Sequence, residues 1–248
     1  MKLPLHPALA VSAVVALSAS FLIVGPAHAS TSQPVSERTL ANSSLSSSDI
    51  PRWMRHGIVP QPELNFRRGR NAESPDLCPN ETGFQIVGKR PNQSMSSLAS
   101  LREDLDDGRG TAVESNIWQY RSRAAAERAW AYLNSQARTC PSFVIDEAIL
   151  DGSTKQVVNT RVQTLPSLFG TPGLEVSTDF TVDLDFLGAN WSIIADAYAN
   201  YYLAGTSIVA VRFVNFNGRT LGIGRVAQGF VQSMSIAVAQ RIERRSSR

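Results

Sequence analysis

The sequence is short of histidine, lysine and cysteine, and each shortage removes a class of chemistry. Its 248 residues hold three histidines, His6, His28 and His56. The first two lie in an apolar leader, so a Ser-His-Asp or Cys-His site would have to use His56. That residue sits in "RWMRHGIVP", an arginine-rich stretch with no nucleophile motif beside it. No G-x-S-x-G elbow, H-E-x-x-H zinc pair or P-loop occurs. Lysine is confined to Lys2, Lys89 and Lys155. No S-x-x-K spacing accompanies them, which leaves a Ser-Lys mechanism without its motif.

Only two cysteines are present, Cys78 and Cys140. Two thiolates so far apart, with one spare histidine, make a poor metal site. The C-x-x-C redox spacing is absent as well. In an exported chain an even pair reads as one disulfide, Cys78–Cys140. Apolar runs are also scarce after the first. Residues 1–29 combine Lys2, the apolar stretch 8–25 and the small-x-small triplet Ala27-His28-Ala29. That is the pattern of a signal peptide cleaved before Ser30, with a retained membrane anchor as the alternative. No cysteine stands at the cleavage point for a lipoprotein attachment, and no twin-arginine pair precedes it.

Residues 30–48, "STSQPVSERTLANSSLSSS", are rich in serine and poor in large apolar side chains. Such a stretch buries too little to offset chain entropy and is expected to be a disordered tether. A folded domain over 49–244 and a basic tail over 245–248 follow. The formal net charge is +3, and removal of Lys2 with the leader leaves one unit less. This is no polycation, and no nucleic-acid partner is expected. The charge is uneven, however. Arg52, Arg55, Arg67, Arg68 and Arg70 stand close together, as do Arg241, Arg244, Arg245 and Arg248, while acids dominate between Asp146 and Asp196. Solvated surface explains this, with the late arginines complementing a helix C-terminus. The alternative is peripheral attraction to anionic envelope polymers or phospholipid headgroups.

"RAAAERAWAYLNSQARTC" (123–140) is the clearest element. Ala126, Trp130, Leu133, Ala137 and Cys140 fall on one face of a helix. Ser122 is placed to cap it, and Pro141 ends it. Strand patterns occur at 83–90, 112–122, 155–165 and 174–188. In the last of these Val176, Phe180, Val182, Leu184 and Phe186 share one face and Asp179, Asp183 and Asp185 the other. Carboxylates so placed are the wet side of a sheet, or else an acid/base pair built on Asp183 and Asp185. Residues 192–216 read as a hairpin turning near Gly205. A final amphipathic helix spans about 223–244 with a stripe through Val226, Phe230, Met234, Val238 and Ile242. The order predicts an α+β fold: one antiparallel sheet with helices packed on one face, in a single domain.

At the start of that last helix, Gly222, Gly224 and Ala227 match the G-x-G-x-x-[G/A] spacing of a dinucleotide turn. A dinucleotide fold needs a further parallel strand after the helix, and the chain has none left to give. The glycines are read as a turn, and no cofactor is expected.

The ordered motifs resemble a family. "SDIPRW" (48–53), an early Cys78 ahead of the first strand, "IWQYRSRAAAERAWAYLNSQARTCPS" (117–142), "YYLAGTSIVAVRF" (201–213) and a terminal helix are similar to the extracellular sensor domains of actinobacterial PknH-type receptor kinases. The resemblance spans most of residues 48–242. It implies an α+β domain with a cleft for an envelope-derived ligand. The chain departs from that family in carrying no kinase domain, no transmembrane helix and one cysteine pair where the kinase sensors typically have two. The reading is therefore a secreted, non-catalytic, sensor-type binding domain for an envelope-derived small molecule or cell-wall component. A hydrolase using strand carboxylates and a structural or protein-interaction module of the envelope are the alternatives. The expected ligand-binding side chains are Tyr198, Tyr202 and Arg212, brought to one face by an odd-length hairpin loop. The oligomeric state is left open.

Overall fold

The helix read over 123–140 forms as α2, Arg123–Ala137, with Ser122 as its N-cap accepting from the Ala125 N–H at 3.2 Å. Its apolar positions Ala126, Ala129, Trp130, Leu133 and Ala137 are all buried, as the helical spacing requires. The computed structural model describes residues 35–51, 62–80, 83–86, 89–104, 109–140, 142–149, 152–186, 189–216 and 223–246. Residues Thr31–Arg248 belong to one compact unit.

An eight-stranded antiparallel sheet organises that unit. In sequence its strands are β1 (Glu63–Arg68), β4 (Gln93–Asp104), β5 (Arg109–Gln119), β6 (Phe143–Ile149), β7 (Gly152–Leu168), β8 (Thr171–Phe186), β9 (Ala189–Ala204) and β10 (Ser207–Phe216). Their spatial order is β1-β4-β5-β10-β9-β8-β7-β6. A separate two-stranded ribbon pairs β2 (Asp76–Asn80) with β3 (Gly83–Ile86). Besides α2 there are a short helix α1 (Glu37–Ala41) and a long terminal helix α3 (Ile223–Ser246).

The α+β class holds, but the helices do not share a face. Val209, Val211 and Phe213 pack in one core with α1 and with Val231, Met234, Val238 and Ile242 of α3. Ile208 and Ala210 pack in a second core with α2, Trp118, Tyr201 and Leu203. The reason lies in β10. Residues 207–213 are buried without interruption, the mark of a strand covered on both faces. An apolar run of this kind carries no inside–outside alternation from which to count helix layers.

Three boundaries also differ from expectation. Residues 35–48 are folded rather than a tether; residues 1–34, with the leader, lie outside the described ones. Leu40, Leu45 and Ile50 are buried in the α3-side core. Arg245 and Ser246 belong to α3 rather than to a tail. Cys78 lies within β2, opposite Gln85, rather than ahead of the first strand. The "NFRR" part of "NFRRGR" falls in β1, an exposed edge strand whose charged side chains suit an edge, and Gly69 and Arg70 lie in the turn after it.

Candidate functional site

The β9–β10 hairpin decides which of the expected binding residues meet. β9 ends at Ala204 and β10 begins at Ser207, with Gly205 at φ +55° in the turn. The loop is thus two residues, an even number. Phe213 then lies opposite Tyr198, Val209 opposite Tyr202 and Arg212 opposite Ala199. Tyr198 and Tyr202 share the α3 face, and Arg212 points to the α2 face. The expected Tyr–Tyr–Arg cluster does not form, because a one-residue change in register moves a side chain to the other face.

Arg212 is 8 % exposed and its Nη1 lies 3.5 Å from Glu114 Oε2, across the β5–β10 pair. It is a buried, paired cation. Tyr202 is 1 % exposed. Its ring fills the space over Gly173, where a Cβ would come within 2.9 Å of Tyr202 Cδ1 and Cζ. Both residues therefore hold the scaffold together. Of the three, only the half-buried Tyr198 reaches the surface.

Around Tyr198 the β8–β9 register sets a ladder of polar pairs on the α3 face: Glu175 opposite Asn200, Ser177 opposite Tyr198, Asp179 opposite Asp196. At one end the ladder is closed by α3. Glu175 is 1 % exposed and accepts from the Gln228 side-chain amide. The Asn200 amide donates to Glu175 Oε2 at 3.2 Å and accepts from the Gln232 backbone N–H at 3.1 Å. No cation faces Glu175 within hydrogen-bond reach among these contacts. Burial pushes its carboxyl above the usual range, and the Gln228 hydrogen bond offsets part of this.

At the other end the ladder reaches solvent. Asp179 and Asp196 are direct cross-strand neighbours of like charge, and Arg161 on β7 reaches Asp179 at 3.8 Å. Partial burial raises the Asp196 carboxyl, and Asp179 raises it further. Burial also pushes up the Tyr198 phenol, with Asp196, Asp179 and Glu175 adding to the effect and Arg161 opposing it. A neutral phenol beside two carboxylates and a guanidinium offers a ring face, several acceptors and one fork of donors. That suits a polyhydroxylated or cationic group. No nucleophile–base pair stands in the ladder. Sequence reasoning found Tyr198, and it placed Asp179 on the wet face of its strand. It missed Asp196 and Arg161, which become neighbours only through pairing of β7, β8 and β9.

The acidic pair Asp183 and Asp185 gains no support. Asp183 is exposed, and in the strand register it lies opposite Lys155 and Ser192; the wet side of a sheet accounts for it. The Asp185 side chain and His56 lie outside the described ones. Among the described residues no group of three His, Cys, Asp or Glu could hold a metal, and no helix is long and apolar enough to cross a membrane. Cys140 is disulfide-bonded. Gly224 and Ala227 fall inside α3, the last described element, and Gly222 lies outside the described residues.

No family model matches the sequence, and no curated protein does. Among solved structures the chain is similar to the extracellular domain of PknH from Mycobacterium tuberculosis, with a TM-score of 0.50 and 12 % identity. The match covers 87 % of this chain and 98 % of that one. The likeness is one of fold, and it agrees with the resemblance carried by the sequence motifs.

Proposed function

We propose that this chain is an extracellular, non-catalytic, sensor-type domain that binds an envelope-derived small molecule or cell-wall component. The observation that carries the reading is the fold likeness to an extracellular domain over nearly all of that domain's length. Fold alone does not fix function, so the site must supply the rest. The open end of the β8–β9 ladder is the part of the expected site that remains accessible. Tyr198 would stack on a sugar ring, Asp179 and Asp196 would accept from its hydroxyls, and Arg161 would cover an acidic substituent.

The test is calorimetric titration with cell-wall glycan fragments. Tyr198→Ala and Asp196→Asn should weaken binding by about 1–3 kcal/mol each without altering the fold. His56→Ala should leave it unchanged. Turnover of a fragment that disappears in Asp183→Asn or Asp185→Asn would contradict the reading and favour a hydrolase.

A further inference from the structure

We infer that one end of the sheet is a docking surface for an anionic phospholipid membrane. The strand registers bring that end together. Arg68 of β1 lies opposite Gln93, Gln93 opposite Gln119, Gln119 opposite Ser207, and Ser207 opposite Ala204. Continuing the β9–β8 pairing of Tyr201 with Leu174 places the β7–β8 turn, Phe169-Gly170, at the same level. The end of α3 is there too, since Ser246 packs against Gly205.

This end is basic. Arg68, Arg70, Arg90, Arg121 and Arg244 are exposed on it. Among the described residues none of the five has a carboxylate partner, although Arg68 sits 5.4 Å over the Phe66 ring. Two nearby acids are already engaged, Glu73 with Arg67 at 3.1 Å and Glu127 with Arg123 at 2.8 Å. Glu37 and Glu243 are the others, two carboxylates against five exposed arginines. The surplus is positive. The far part of β8 carries Asp179, Asp183 and Asp185 instead, so the charge is polarised along the strands.

An apolar tip stands on the same end. Phe169 has φ +53° and is 36 % exposed. Turns of this kind normally use glycine, asparagine or aspartate at a left-handed position. A bulky aromatic held there against its own backbone preference, and left in solvent, points to a contact the isolated domain does not make. Arginines along one sheet end, with a phenylalanine at the β7–β8 turn of that same end, are the composition of a surface that rests on anionic headgroups and inserts a ring between them. The described chain also begins here, because Gln93 Nε2 donates to the Val35 carbonyl at 2.5 Å.

The inference is independent of the ligand reading, since Tyr198 and its neighbours lie elsewhere on the sheet. The test uses the folded chain from Ser30 onward, co-sedimented with phosphatidylglycerol-containing vesicles and with phosphatidylcholine vesicles. Binding to the anionic vesicles alone, falling as salt is raised, is expected. Arg68→Glu combined with Arg244→Glu should weaken it on the order of thirtyfold or more. Phe169→Ser should weaken it severalfold. Asp183→Lys, which makes the acidic end more positive, should not restore binding to the doubly reversed variant. Restoration would show that net charge is responsible and would overturn the inference. So would failure to sediment with either vesicle. So would unaltered binding in Phe169→Ser together with equal capture by a soluble anionic polysaccharide, which would assign the surface to an envelope polymer.

Discussion

Arg241 on α3 grips Asp49 with both arms of its guanidinium, Nη1 to Oδ1 at 2.8 Å and Nη2 to Oδ2 at 2.9 Å. The same side chain donates from Nε to the Ser43 carbonyl at 3.1 Å and from Nη2 to the Ser44 carbonyl at 2.9 Å. One turn on, Arg245 donates to the Thr39 carbonyl and to Ser43 Oγ. Two arginines near the C-terminus thus fasten the folded N-terminal segment, whose Leu40, Leu45 and Ile50 fill the core beneath.

Removing the grip should loosen the segment. Bidentate, charge-assisted contacts are the stronger kind of hydrogen bond, and Asp49 is mostly shielded from water. Arg241→Met is expected to cost about 2–3 kcal/mol of stability in urea unfolding. Amide exchange should quicken over residues 36–50 before it does in β9 and β10. Unchanged exchange in that segment would contradict the account.

Arg212 separates a structural role from a binding role. The geometry predicts that Arg212→Ala lowers stability by about 1–3 kcal/mol, because it removes a buried side chain and takes the half-buried Glu114 away from its cation. Affinity for a ligand of the Tyr198 face should not change once the protein is folded. A stable Arg212→Ala variant with lost binding would instead restore the residue to the site.

Gly173→Ala should be destabilising by about 1–3 kcal/mol. The added methyl would collide with the Tyr202 ring, which is fully buried and has nowhere to go. A double variant, Gly173→Ala with Tyr202→Leu, should recover part of the loss in thermal unfolding.

Stability should have a two-sided dependence on pH. Burial raises the carboxyls of Glu175 and Asp196 in the folded state, so between their ordinary and raised values the folded chain binds more protons than the unfolded one. Stability therefore rises as pH falls from neutral through that window. Asp49 acts in reverse. Burial favours its neutral form, but hydrogen bonds from Arg241 and Ser46 outweigh this and hold the carboxyl below its ordinary value. Its contribution is present above the ordinary value and is lost as pH falls through the lowered one. Urea unfolding across a pH series should show a rise into mild acid and then a fall, and Glu175→Gln should flatten the rise.

Cys140 is disulfide-bonded, and the sequence holds one other cysteine, Cys78. Tryptic mass mapping without reduction should find the two joined. Their separation in sequence corresponds to about 4 kcal/mol in the chain-entropy model, so reduction should lower the melting temperature markedly.

How much of this was legible in the sequence depends on whether the signal was local. α2 could be read to its cap, because Ala126, Trp130, Leu133 and Ala137 repeat at helical spacing and Ser122 precedes them. The strand over 174–186 could be read for the same reason. The N-terminal segment could not. Leu40, Leu45 and Ile50 follow no strand or helix period, and the arginines that hold the segment lie some two hundred residues away. The candidate site turned on the parity of a single loop. Two residues in the Gly205 turn rather than an odd number sent Arg212 to the opposite face, while the partners that replaced it, Asp196 and Arg161, meet Tyr198 only through three paired strands.

The most direct test of the proposed function is two-dimensional NMR of the labelled folded chain during titration with cell-wall glycan fragments. Shifts confined to Ser177, Asp179, Asp196, Tyr198 and Arg161, with no change in the fragments themselves, are the result expected of a binding domain that uses the open end of the β8–β9 ladder. Shifts centred on Arg212 and the α2 face, or conversion of the fragments during the titration, would contradict it.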